Sequence, residues 1–164
     1  MKKQLLSFIV VILSFISSHA NHISGGEMYY TYLGIDAFTG FPNYSVTLKL
    51  FRDPAGGGPN LETSQNIAIY EKGTNILRWS GNVTESQSYT TTLTYPNPCI
   101  ISPPVVSFDI KLYTFTVPLA PSQNGYIIVF QRCCRLSGIT NVASPSSNFG
   151  STYTAEIPGF EPSS

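Results

Sequence analysis

Apolar and polar residues alternate with a period of two through most of this chain, and that rhythm restricts it to strands. In Tyr44-Ser45-Val46-Thr47-Leu48-Lys49-Leu50, Val46, Leu48 and Leu50 fall on one side and Ser45, Thr47 and Lys49 on the other. Tyr89 to Tyr95 and Tyr113 to Val117 repeat the pattern with Thr, Val and aromatic residues, the types that fit a pleated surface. Shorter runs of the same kind cover Glu27 to Leu33, Ile67 to Glu71, Asn75 to Trp79 and Thr152 to Ile157. Tyr126 to Gln131 is apolar on both sides and reads as a central strand. No stretch carries the 3.6-residue apolar period of a capped helix. About eight short strands with little helix predict an all-β, antiparallel β-sandwich, immunoglobulin-like or jelly-roll-like.

Turn residues separate the runs. Asp53-Pro54-Ala55-Gly56-Gly57-Gly58-Pro59-Asn60 reads as an exposed flexible loop, neither strand nor helix. Pro96-Asn97-Pro98 and Pro103-Pro104 bracket Cys99 in an extended segment. Asn124-Gly125 is a hairpin signal between two strands.

The N-terminus sets the compartment. Lys2 and Lys3 precede an apolar stretch from Leu5 to Ile16, and Ser18-His19-Ala20 puts small residues where a signal peptidase cuts. The stretch is too short for an ordinary membrane helix. Residues 1–20 are therefore expected to be a signal peptide, 21–158 one β-sandwich domain, and 159–164 a tail or the start of a linker. The mature chain would begin at Asn21 in an oxidising compartment, secreted or at the cell surface, with the secretion machinery as a partner. No later segment approaches the roughly 20 apolar residues of a membrane span.

Charge narrows the function. After loss of Lys2 and Lys3, seven basic and nine acidic side chains remain, a net charge near −2. Nucleic-acid binding requires clustered Lys and Arg to offset phosphates, so nucleic acid is not an expected partner. Ten Tyr and ten Phe argue equally against a disordered acidic chain.

Catalytic chemistry has little to work with, and no catalytic residue, metal or cofactor is assigned. The mature sequence has one histidine, His22, near its N-terminus. No Gly-x-Ser-x-Gly elbow, phosphate-cradling glycine motif or His-Glu-x-x-His helix occurs. The carboxylates are dispersed, and a glycosidase would need two of them about 5 to 9 Å apart in a cleft. Zinc ligands exist in type, but their spacing matches no zinc pattern. Trp79, Tyr29, Tyr30 and Tyr32 are the ligand-contact candidates, because aromatic rings on one flat face could stack on sugars. The competing reading puts Trp79 in the core. The partner on these grounds is an extracellular protein or a glycan, and a carbohydrate-binding module or carbohydrate-active enzyme is the alternative to a structural role.

Three cysteines remain. Cys133 and Cys134 follow the central run Tyr126 to Phe130 directly, and Cys99 is the third. Either Cys99 bonds one of the pair or the neighbours close a vicinal ring; the former is favoured. A bridge from Cys99 to residue 133 closes about 35 residues, which the chain-entropy account values at roughly 3 to 4 kcal/mol. Adjacent strand residues face opposite ways, so one disulfide and one free thiol are expected.

Several blocks resemble a known family. His22-Ile23-Ser24-Gly25-Gly26-Glu27-Met28-Tyr29-Tyr30, the run Val46 to Asp53, Asn97-Pro98-Cys99, and Gly125 through Gln131-Arg132-Cys133-Cys134-Arg135 are similar to the N-terminal domain of large surface proteins of gliding bacteria. In that family the domain precedes PKD-type or other immunoglobulin-like repeats. A gliding-motility-associated sorting domain, read by the type IX secretion system, ends the chain. The resemblance covers nearly all of the mature sequence and implies an exported surface protein with a structural or adhesive role. It carries no catalytic residue. Two family cysteines are missing: Pro54 stands after Arg52-Asp53 where one is common, and none lies near Val106-Ser107. Their joint loss fits the loss of one bridge. No repeats follow Ser164, so the chain reads as an N-terminal piece or a short relative.

Overall fold

The computed structural model describes residues 23–56, 58–93, 105–133, 141 and 149–159. The expected signal peptide, His22, Cys99, Cys134 and the tail beyond Gly159 lie outside the described residues.

Seven strands form the fold: β1 (Gly25–Ile35), β2 (Pro42–Arg52), β3 (Ser64–Glu71), β4 (Leu77–Leu93), β5 (Val106–Pro118), β6 (Tyr126–Arg132) and β7 (Ser151–Ile157). Every pairing is antiparallel, and the lateral order is β1-β2-β5-β4-β3-β6-β7. The sheet curls until its edges β1 and β7 approach, giving the expected all-β architecture as a nearly closed, sandwich-like barrel.

The strand count differs from the sequence reading for one local reason. The described parts of the runs expected at Asn75–Trp79 and Tyr89–Tyr95 meet in a single strand, the 17-residue β4, which takes in Leu77–Trp79 and Tyr89–Leu93. Its first half pairs with β3 and its second with β5, and the register slips between Glu85 and Gln87. A bulge there adds bend and twist, so one strand serves both halves of the barrel without a turn. The hairpin expected at Asn124-Gly125 is not formed. β5 pairs with β2 and β4, and β6 with β3 and β7, so Gly125 (φ +72°) ends a crossing between the halves.

The register gives every strand one inward side. Tyr30, Val46 and Phe115 line up across β1, β2 and β5, and Trp79, Ile69, Ile128 and Ala155 across β4, β3, β6 and β7. Val46, Leu48, Leu50, Ile67, Ile69, Tyr113 and Ile128 are fully buried there. Burying each aliphatic side chain contributes about 1.5–3 kcal/mol, and this inward row is what holds the barrel together. Gly26 sits where the edges meet. A Cβ added to it would lie 2.8 Å from the Lys49 carbonyl and 3.0 Å from the Tyr153 ring, so only glycine permits that approach.

Antiparallel order has a further consequence. Six reversals separate β1 from β7, so the two edges run in the same direction and cannot close by an antiparallel ladder. A parallel ladder could join them, but among the described residues none does, and the barrel keeps a seam there.

Candidate functional site

All strands end at one of two barrel mouths, and the mouths differ in chemistry. β1, β3, β5 and β7 finish at the first, where β2, β4 and β6 begin; β2, β4 and β6 finish at the second.

The first mouth is aromatic. A cleft of about 460 Å³ opens where the ends of β1 and β7 part. Tyr30, Tyr32 and Ile35 come from β1, Ile157 and Pro158 from the end of β7, and Tyr44, Pro121 and Tyr126 from between them. Tyr44 stands between two neighbours: its centroid is 5.8 Å from Tyr30 at 77° and 5.7 Å from Tyr32 at 52°. The Tyr126 hydroxyl donates to the Ala120 carbonyl. Among the described residues the hydroxyls of Tyr30, Tyr32 and Tyr44 make no hydrogen bond to another protein group. Burial pushes the Tyr44 and Tyr126 phenols above their ordinary range, so both keep their protons at neutral pH.

A fixed apolar lip borders this cleft. Asp36 Oδ1 accepts hydrogen bonds from the backbone of Phe38 at 3.1 Å and of Thr39 at 2.8 Å, and from the Thr39 hydroxyl at 2.8 Å. These bonds, led by the Thr39 backbone, hold the Asp36 carboxyl below its ordinary range. The turn so ordered displays Phe38 at 99% exposure.

The second mouth is charged. The inward row changes from aliphatic to ionic there, because Arg52 continues the Val46-Leu48-Leu50 side and Asp109 and Lys111 continue the Tyr113 side. Arg52 donates to Asp109 at 2.6 Å and to the Gly58 carbonyl at 2.5 Å. Lys111 pairs with Glu85, and Arg132 with Glu62. Tyr113 donates its hydroxyl to the Glu62 carbonyl at 2.6 Å, and the Gln65 amide donates to the Glu62 carboxylate at 3.1 Å. Burial works to raise the Glu62 carboxyl, but the Gln65 amide and the Arg132 guanidinium outweigh it and hold it below its ordinary range. A shallow cleft of about 430 Å³ beside Arg52, Asp109 and Lys111 opens from this mouth.

The loop after β2 is more ordered than its glycines suggest. Pro54–Gly56 forms one 3-10 turn, with Asp53 accepting from the Ala55 backbone at 2.8 Å, and the Arg52 bond fastens Gly58. The sequence reading of a segment without any helical turn is corrected there.

The four aromatic candidates do not form one platform. Trp79 faces inward, partly buried, and stacks on Phe115 at 4.5 Å with 11° between the planes. Tyr29 points to the outer side of β1, whereas Tyr30 and Tyr32 share the inner side. The structure joins Tyr30 and Tyr32 with Tyr44, Tyr126 and three prolines that sequence reasoning had not grouped. Tyr44 opens the clearest alternating run, and its place at the start of that run was the available signal.

Cys133 follows β6 at the charged mouth and is exposed. Among the described residues no group of three or more His, Cys, Asp or Glu side chains could hold a metal ion, and no helix is long and apolar enough to cross a membrane. Compared with protein-family models, with curated proteins and with solved structures, the chain matches none.

Proposed function

We propose that this chain is an exported, non-enzymatic β-barrel module with a structural or adhesive role, displayed at the cell surface or secreted. Its residues suit the N-terminal part of a PKD-type, gliding-motility-associated surface protein or a short relative of one. The observation that carries the non-enzymatic reading is the pairing of the acids. Among the described residues Asp109, Glu85 and Glu62 at the charged mouth are matched by Arg52, Lys111 and Arg132. A glycosidase acid needs a raised pKa and a free partner carboxylate, and a bound guanidinium or ammonium opposes both. Paired in this way, the charges serve to finish the end of a barrel.

One disulfide from Cys99 to the Cys133-Cys134 doublet belongs to this reading. β4 and β6 finish at the same mouth, so the segments bearing these cysteines start out from the same end. On this reading Cys133 or its neighbour carries the bonded sulfur.

The test is to produce the full chain in a gliding bacterium and sequence the N-terminus of the extracellular and surface-bound pools. A start at Asn21 is expected, with one alkylatable cysteine per chain before reduction and three after. Uncleaved protein retained inside the cell would overturn the export reading. Release of reducing ends from a panel of polysaccharides would overturn the non-enzymatic one.

A further inference from the structure

We infer that the outer side of the barrel across β4, β3, β6 and β7 binds a neutral oligosaccharide. The inference rests on the adhesive reading above and adds the site and its ligand class.

Strand register builds that surface in rows. Asn82 lies opposite Asn66, and Gln131 opposite Thr152, so amides lead the first row. Ser80, Ala68, Val129 and Thr154 make the second, and Tyr70 and Ile127 are partners in the third. Short side chains in the middle row leave a groove of about 560 Å³, with Asn66 and Gln131 on one bank and Tyr70 and Asn75 on the other. That volume falls within the roughly 300–1,000 Å³ of small-ligand sites.

The lining selects a neutral, hydroxyl-rich ligand. No charged side chain lines the groove. Glu71, next to Tyr70, pairs with Arg78, and Glu156, opposite Ile127, pairs with Lys72 at 2.6 Å, so an ion finds no open counter-charge. A sugar hydroxyl both donates and accepts, and a primary amide offers both functions from one side chain. Asn66 donates to Asn82 at 3.2 Å and Gln131 to Thr152 at 3.3 Å, which orients both amides. Among the described residues each keeps its carbonyl oxygen and a second N–H for a ligand. Half-buried Ala68, Val129 and Ile127 give a floor for the C–H edges of a sugar ring, with the Tyr70 ring beside it. A protein partner is matched instead by a wide apolar patch with several aromatic or arginine anchors, and this lining has one aromatic ring and no arginine.

Asn75 supplies a third amide from the turn between β3 and β4. Among the described residues it is the one non-glycine at positive φ, +56°. Glycine serves such a turn equally well, so contact with a ligand gives the amide a purpose that the turn does not.

The probes are cellohexaose, xylohexaose, maltohexaose and mannohexaose, each titrated calorimetrically into the full mature chain in its oxidised form, with hexagalacturonate as the charged counterpart. Saturable binding of at least one neutral probe, and none of hexagalacturonate, is expected. For the sugar that binds, Asn66→Ala and Gln131→Ala should each weaken it about fivefold and Tyr70→Ala about tenfold. Asn75→Gly should weaken it too, without lowering the urea midpoint. Lys49→Ala, on the outer side of β2, should bind as the parent does. Unchanged far-ultraviolet circular dichroism would establish that the variants fold. Absence of binding by all four neutral probes at millimolar concentration overturns the inference, as does binding that Asn66→Ala, Gln131→Ala and Tyr70→Ala all retain. A dimer dissociated by Val129→Arg, with no sugar bound, would make the groove a contact between copies and overturn it as well. None of these failures would alter export or processing at Asn21, and retention inside the cell would leave sugar binding by the purified chain unchanged, so the two proposals fail separately.

Discussion

Trp79 and Phe115 stack face to face across the interior, 4.5 Å between centroids, from parts of β4 and β5 that no longer share a ladder. Beyond the bulge at Ser86, β4 leaves β5 and turns to β3, and the stacked rings continue the contact that the backbone has given up. Gly81 makes this possible. A Cβ at that position would lie 2.9 Å from the indole, on the inward side where Trp79 folds back over it.

Removing the indole or adding a side chain at Gly81 should therefore cost stability in a coupled way. Trp79→Ala is expected to destabilise by about 2–4 kcal/mol and Gly81→Ala by about 1–3 kcal/mol. Because the penalty at Gly81 is a clash with the indole, the double variant should cost little more than Trp79→Ala alone. Urea unfolding followed by far-ultraviolet circular dichroism measures all three, and additive losses would refute the coupling.

Acid should weaken the charged mouth. The Glu62 carboxyl lies below its ordinary value of 4.5 in the folded chain. As pH falls, the unfolded chain takes up this proton first. The stabilisation is thus fully present above about pH 4.5 and is lost as pH drops through the lower folded value. Glu62→Gln should flatten stability against pH in that acid window while leaving its shape near neutrality unchanged. Urea midpoints between pH 2 and pH 7 provide the comparison.

Arg52 and Asp109 should behave as a pair. The Arg52 side chain is 10% exposed and Asp109 is 32% exposed, so removing one leaves the other partly desolvated and unmatched. Arg52→Met is expected to cost about 1–3 kcal/mol, more than the double change Arg52→Met with Asp109→Leu. A double change that costs as much as the sum of the singles would show that the pair carries no coupling.

Two adjacent glycines should respond differently. A Cβ at Gly25 makes an ordinary contact 3.7 Å from the Phe51 ring, whereas at Gly26 it meets backbone at 2.8 Å. Gly25→Ala should be neutral or slightly stabilising, by up to about 1 kcal/mol, through the unfolded chain. Gly26→Ala should destabilise by about 1–3 kcal/mol by pushing β1 from the Lys49 backbone of β2 and from Tyr153 of β7. Thermal melts of the two variants rank them.

Legibility in the sequence followed the range of the physics. Period-two alternation is local, so Val46, Leu48 and Leu50 could be assigned to a buried side without knowing what they faced. The continuity of β4 was not readable, because Ser80 to Ser88 has neither a strong turn signal nor a strong strand pattern, and pairing on two sides decided it. Asn124-Gly125 has hairpin chemistry, yet its positive φ serves a crossing between the halves of the barrel. Tyr29, Tyr30 and Tyr32 look like one group in sequence, and the pleat sends the first to the opposite side.

The chain's own order of residues determined that it would be all-β and which side of most strands would be inward. These depend on neighbours two positions apart. Which tyrosines meet, which acid finds which base, and whether Trp79 faces solvent or Phe115 depend on strand order and register across the sheet. Only the tertiary structure decided those, because an aromatic side chain at strand spacing suits a core and a binding face equally until the opposite wall is in place.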